Sequence, residues 1–125
     1  FADYAALAAR RLGDRVKNWI TLNEPQCFVQ LALREGVFAP GEKLSDRSAL
    51  LCWKHALLAH GAGVDALRAA APGPIQVGCA PTGRERIPLT DTPADLAAAR
   101  AAYWALDRDL WSLPLWWEPM LRGRW

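Results

Sequence analysis

Two short apolar runs, residues 16–22 and 75–80, stand on either side of a long helical pattern, and this arrangement constrains the fold more than any other feature of the chain. Strands joined through a helix of that length run parallel, because an antiparallel pair needs only a short turn between its members. The first run contains Val16, Trp19, Ile20 and Leu22 between Gly13-Asp14 and Pro25, and reads as a strand covered on both faces. The second, Ile75-Gln76-Val77-Gly78-Cys79-Ala80, follows directly on Pro72-Gly73. The fold class is α/β.

Helical spacing supplies the covering elements. Phe1, Ala5, Ala8 and Leu12 recur on one side of Arg10, Arg11 and Asp14, which predicts an amphipathic helix ending near Gly13. Residues 26–35 have room for a short helix before Gly36-Val37-Phe38-Ala39-Pro40-Gly41 breaks into loop. Leu50, Trp53, Leu57, Val64 and Leu67 form the stripe of a helix over 46–70, with Ser45 or Asp46 as its cap and Pro72-Gly73 as its stop. Thr92-Pro93-Ala94-Asp95 is a capping box, and Leu96, Ala99, Tyr103, Leu106 and Leu110 continue as a helical stripe. From Trp111 the pattern changes to an aromatic loop with Trp116, Trp117, Pro114 and Pro119.

Composition removes several classes of function. A formal charge of +2, with arginines scattered along helices, argues against a nucleic-acid surface. Cys27, Cys52 and Cys79 are odd in number and lack CxxC spacing, so reduced thiols in a cytoplasmic setting are expected in place of a disulfide framework or a zinc site. No apolar run approaches the ~20 residues of a membrane span, so no membrane partner is expected. His55 and His60 stand five apart, without the i, i+4 geometry of a helical metal pair, and structural roles are expected for both. Trp19 and Trp53 belong to a strand and a helix stripe and are expected in the core; Trp104, Trp111, Trp116, Trp117 and Trp125 suit the sealing of loops. The chain starts at Phe1 inside a helical pattern and stops at Trp125 just after a turn signal, which reads as a piece of a longer protein.

Where the first strand runs out, Thr21-Leu22-Asn23-Glu24-Pro25 sets an amide beside a carboxylate. Cleavage of a glycosidic bond needs a proton for the departing oxygen and a second carboxylate for the oxocarbenium-like transition state. Glu24 suits the acid, provided that burial or a neighbouring carboxylate holds its proton. Asn23 can donate its amide hydrogens to a sugar hydroxyl. By itself the tripeptide Asn23-Glu24-Pro25 reads first as a helix start, with Asn23 as the cap and Glu24 or Pro25 in the first turn.

Context favours the sugar chemistry. The run Asp14-Arg15-Val16-Lys17-Asn18-Trp19-Ile20-Thr21-Leu22-Asn23-Glu24-Pro25 resembles the acid/base segment of the glycoside hydrolase family 1 β-glucosidases, in which Thr-x-Asn-Glu-Pro closes the fourth strand of a β/α barrel. Gly36 to Gly41 is similar to that family's Gly-x-x-Ala-Pro-Gly loop, and Leu57-Leu58-Ala59-His60-Gly61 with Val64 to its next barrel helix. The stretch from Val77-Gly78 through Pro88, Thr90-Asp91-Thr92-Pro93-Ala94-Asp95 and Ala98-Ala99-Arg100 resembles the fifth strand and the insertion after it. Trp117-Glu118-Pro119 with Gly123 resembles a later Trp-x-Asp-Pro loop.

The resemblance implies one partial domain over 1–125, a portion of a (β/α)8 barrel comprising about strands 4 and 5 with their helices and an extra helix and loop insertion. It implies a retaining glycosidase acting on a β-glycoside or oligosaccharide, with Glu24 as proton donor and base, Asn23 as a sugar contact, and neither cofactor nor metal. Retaining enzymes hold their two carboxyls about 5–5.5 Å apart, yet no Glu-Asn-Gly motif of the kind that carries the family's nucleophile occurs here. A complete barrel takes about 250 residues, so the rest of the barrel is expected to be needed for activity, and exposed strand edges are expected to invite association. Phe38, Glu118 and Trp125 depart from the histidine, aspartate and tyrosine usual in the family. Gln26, Cys27 and Phe28 either face the leaving group or pack beneath the loop.

Overall fold

The computed structural model describes residues 1–105 and 110–123. In chain order it has α1 (Ala2–Leu12), β1 (Asn18–Asn23), a π-helix (Cys27–Arg34), α2 (Asp46–Ala70), β2 (Gln76–Ala80), α3 (Pro93–Trp104) and α4 (Leu113–Arg122). β1 and β2 are adjacent and parallel, as a strand–helix–strand unit requires. Among the described residues no helix is long and apolar enough to cross a membrane.

Local chemistry sets most of the element ends. The Ser45 hydroxyl accepts a hydrogen bond from the Ser48 N–H at 3.3 Å and starts α2, and Thr92 accepts one from the Asp95 N–H at 3.3 Å with Pro93 in the first turn of α3. β1 begins later than its apolar content suggests, because Val16 donates its N–H to Leu12 O at 2.8 Å and is spent in the turn that closes α1.

Packing follows the small residues more than the large ones. On α1 the buried positions are Ala5 and Ala9, while Phe1, Leu7 and Leu12 are exposed. On α2 they are Ala49, Ala56, Leu57, Gly63 and Leu67, and Leu50 points outward. Ala49, Ala56 and Gly63 recur every seven residues, two helical turns, and let neighbouring elements come close: a Cβ on Gly63 would meet the Phe1 ring at 2.6 Å. One core cluster joins Ala5, Ala9 and Leu67 with Trp19 and Val77 of the strands. The other holds Val29, Ala49, Ala56, Leu57, Leu110 and Trp116.

β1 is not covered on both faces within these residues. Trp19 is half-buried against the helices, whereas Ile20 on the opposite face is 64% exposed. Among the described residues, helices cover the Trp19 and Val77 face and leave Ile20 exposed.

The segment from Trp111 corrects the expected aromatic loop. It contains α4, and two prolines do not prevent it. Pro114 lies in the first turn, where a missing N–H costs nothing, and Gly123 closes the helix in the left-handed conformation with its N–H on Pro119 O at 2.9 Å. Trp116 is fully buried, donates its indole N–H to Leu110 O at 2.9 Å and meets Trp53 edge-on with ring centroids 6.4 Å apart. Burial of that ring gives the segment its helix. α3 ends at Trp104 and buries none of its residues, so Leu110 belongs to the core and not to a continued stripe. Leu106 and Trp125 lie outside the described residues.

Candidate active site

The C-terminal end of β1 is irregular. Trp19 pairs with Val77 and Ile20 with Gly78, but the next registered pair is Asn23 with Ala80. β1 thus spends one residue more than β2 over the same interval, which is a bulge, and a bulge re-aims the side chains that follow it.

Asn23 is the last residue of β1 and is exposed. Glu24 leaves the strand with φ +43°, the sole non-glycine residue at positive φ among those described. That conformation costs about 1–2 kcal/mol for a residue with a Cβ, and it persists only where the surroundings over-determine it. Here they do. The Glu24 N–H donates to Ala80 O at 2.7 Å, and Glu24 O accepts from the Cys27 N–H at 2.8 Å. Pro25 and Gln26 are fully buried immediately afterwards.

The Glu24 side chain itself is exposed, and a carboxylate oxygen receives the Cys27 thiol at 3.3 Å. Burial, expected to hold the proton on Glu24, is therefore not supplied within this chain; the open face of the sheet end leaves the carboxyl in water. The contact also bears on the thiol. Its desolvation, followed by the hydrogen bond to Glu24 and the charge of Glu24, raises the Cys27 pKa above the ordinary 9.0.

Of the three residues after Glu24 that could face a leaving group or pack under the loop, Gln26 packs, Cys27 is half-buried against Glu24, and Phe28 is exposed. The π-helix that carries them is wider than an α-helix, with the Glu35 N–H bonding back to Gln30 O at 2.9 Å across five residues. It is tied to α2 by Arg34, whose Nη2 lies 2.8 Å from the Asp46 carboxylate.

Behind the strand, Thr21 Oγ1 donates to Gly78 O at 3.2 Å and lies 2.7 Å from His60 Nδ1 on α2. Burial lowers the His60 pKa below 6.5, as desolvation does for any cation. His55 is exposed on the same helix. The Cys79 thiol donates to Leu22 O at 3.4 Å, and burial raises its pKa. All three cysteines are free thiols. Among the described residues no group of three or more histidine, cysteine, aspartate or glutamate side chains is placed to hold a metal.

The structure thus places Asn23 and Glu24 side by side at one strand end. Sequence reasoning missed the Thr21–His60 link and the thiol on Glu24; the three-residue spacing of Glu24 and Cys27 across a helix start was the available signal for the second.

Comparison with known proteins gives the family of the chain. The model of the family described as "Glycosyl hydrolase family 1" matches residues 1–125. A β-glucosidase of an Agrobacterium species is 44% identical over 103 residues, which are 82% of this chain and 22% of that protein. The solved virulence factor SghA of Agrobacterium tumefaciens superposes with a TM-score of 0.76 at 35% identity, over 99% of this chain and 26% of SghA. A second SghA structure, a complex with its substrate analog salicin, gives a TM-score of 0.65 at 40% identity over 81% of this chain and 22% of that one. The chain spans about a quarter of the length of the relatives it matches. With its whole length matched, the chain belongs to glycosyl hydrolase family 1.

Proposed function

We propose that this chain is the portion of a retaining β-glycosidase that carries the acid/base, Glu24, with Asn23 contacting the sugar, and that it forms about strands 4 and 5 of a β/α barrel. The observation that carries the reading is the pinned positive φ of Glu24 at the bulged end of β1. Strain of this kind clusters at functional sites, because the surroundings must be built to hold it. Catalytic groups of such barrels project from strand ends, where the packed sheet fixes their direction.

In this reading Glu24 protonates the glycosidic oxygen as the bond breaks, and a carboxylate from the remainder of the barrel takes the sugar as a covalent intermediate. Glu24 then removes a proton from the attacking water. In the complete barrel a second carboxylate and a covering wall would enclose the carboxyl that stands exposed here. The likeness to SghA, solved with its substrate analog salicin, supports a β-glycoside as substrate. A cytoplasmic setting belongs to the same proposal, and the free thiols suit it.

The test is Glu24→Ala in the complete polypeptide that carries this chain. Activity on an alkyl β-glucoside, whose leaving group needs a proton, should fall at least about 100-fold. Activity on 2,4-dinitrophenyl β-glucoside should fall far less in its first step, and azide, which needs no base, should restore turnover. Equal losses on both substrates with no effect of azide would remove Glu24 from the chemistry.

A second reading is a catalytically silent sugar-binding or structural module. What favours it is that, among the described residues, each of the two strands pairs on one edge only and Ile20 stands 64% exposed, surfaces that promote association. Size-exclusion chromatography and glycosidase assay of the 125-residue chain decide: an inactive, sugar-binding monomer supports the module.

A further inference from the structure

The sheet does not end with its backbone. Glu24 N–H to Ala80 O is the last backbone bond between the two strands, because Glu24 then turns away at φ +43° and Pro81 has no N–H to offer. One rung further on, a side chain takes the place of the missing strand. The Gln26 carboxamide, fully buried, donates through Nε2 to Thr82 O and accepts through Oε1 from the Thr82 N–H at 3.1 Å. A primary amide carries the same donor and acceptor as a peptide group, so Gln26 continues the ladder to the loop after β2.

This matters for Glu24 because its turn is held from three sides. Ala80 O fixes its N–H, the Cys27 N–H fixes its carbonyl, and Gln26 fixes the chain two residues on. The first ties Glu24 to the end of β2, and the second closes the turn on itself. The third ties that turn to a different loop, and Val29, three residues further along, anchors it in the core beside Trp116. Without the Gln26 bonds the turn can relax from the left-handed region, and the Cβ direction of residue 24 changes with it.

We propose that Gln26 is a positioning residue for Glu24, locking the acid/base turn to the loop after β2 through a two-way amide clamp on Thr82. The proposal rests on the acid/base reading of Glu24. It places the effect of Gln26 in proton transfer and leaves sugar binding largely alone.

Gln26→Met preserves length and removes both hydrogen bonds; Gln26→Glu, neutral in this buried site, keeps an acceptor for the Thr82 N–H and a hydroxyl donor for Thr82 O in altered geometry. Both are made in the complete polypeptide and compared with Glu24→Ala on an alkyl β-glucoside and on 2,4-dinitrophenyl β-glucoside. For Gln26→Met, kcat/KM on the alkyl substrate should fall at least about ten-fold more than on the dinitrophenyl one, mainly in kcat, since acid catalysis is demanded only by the poor leaving group. Gln26→Glu should shift the same ratio by less, and it carries the test if Gln26→Met does not fold. An equal fall on both substrates, or no fall, overturns the clamp as a positioning device. If Glu24→Ala shows the leaving-group dependence and the Gln26 variants do not, only this proposal fails; if Glu24→Ala lacks it, the acid/base reading falls as well.

Discussion

The Cys27 thiol lies 3.3 Å from Oε2 of Glu24, one short turn after the strand end that presents the carboxyl. Desolvation raises the thiol's pKa first, and the hydrogen bond and charge of Glu24 raise it further. Alkylation proceeds through the thiolate. Removal of the charge in Glu24→Gln should therefore speed modification of Cys27 by iodoacetamide at least about two-fold at mildly alkaline pH, while Cys52 reacts as before. Peptide mass spectrometry of timed samples resolves the sites. A slower Cys27 in that variant would contradict the coupling.

His60 predicts a pH dependence of stability. Its pKa is lowered below 6.5 in the fold, by burial on α2 behind Thr21, so the unfolded chain binds the proton more readily than the folded one. The stabilisation is complete above pH 6.5 and is lost as the pH falls through the lower folded value. His60→Gln keeps a hydrogen-bonding side chain for Thr21 and does not titrate. Urea midpoints between about pH 5 and 7 should fall less steeply in that variant, and parallel curves for the two proteins would refute the assignment.

Trp116 joins α4 to the core through an indole hydrogen bond to Leu110 O and an edge-on contact with Trp53. Trp116→Phe keeps most of the ring and leaves the Leu110 carbonyl unpaired, at a cost of about 1–3 kcal/mol. Trp116→Ala opens a cavity and should cost about 3–5 kcal/mol. Urea unfolding checks both as a lowered midpoint at constant slope. A variant with the alanine as stable as the parent would show that α4 is not packed on α2.

Several features were legible because their causes lie within a few residues. Ser45 caps α2 and Thr92 caps α3 through bonds to the residue three positions on, and such bonds depend on the local sequence alone. The long separation of two apolar runs by a helix was enough for a parallel pair. Other readings failed for the opposite reason. Counting large apolar residues predicts Phe1, Leu12 and Leu50 inside, yet α1 and α2 meet through Ala5, Ala9 and Leu67, since what is buried depends on how close a neighbour comes. Pro114 and Pro119 predict a loop, yet the segment is α4 and buries Trp116.

The amino-acid order by itself determined the α/β class, the extent of α2 and the position of Asn23-Glu24 at the end of a strand, because periodicity, caps and breakers act between near neighbours. Only the tertiary structure decided how Glu24 is held and what surrounds it. The Gln26 clamp joins residues 56 apart in the chain, and the Thr21–His60 contact joins residues 39 apart. Such pairings arise when the two strands and α2 pack together, and no local pattern encodes them.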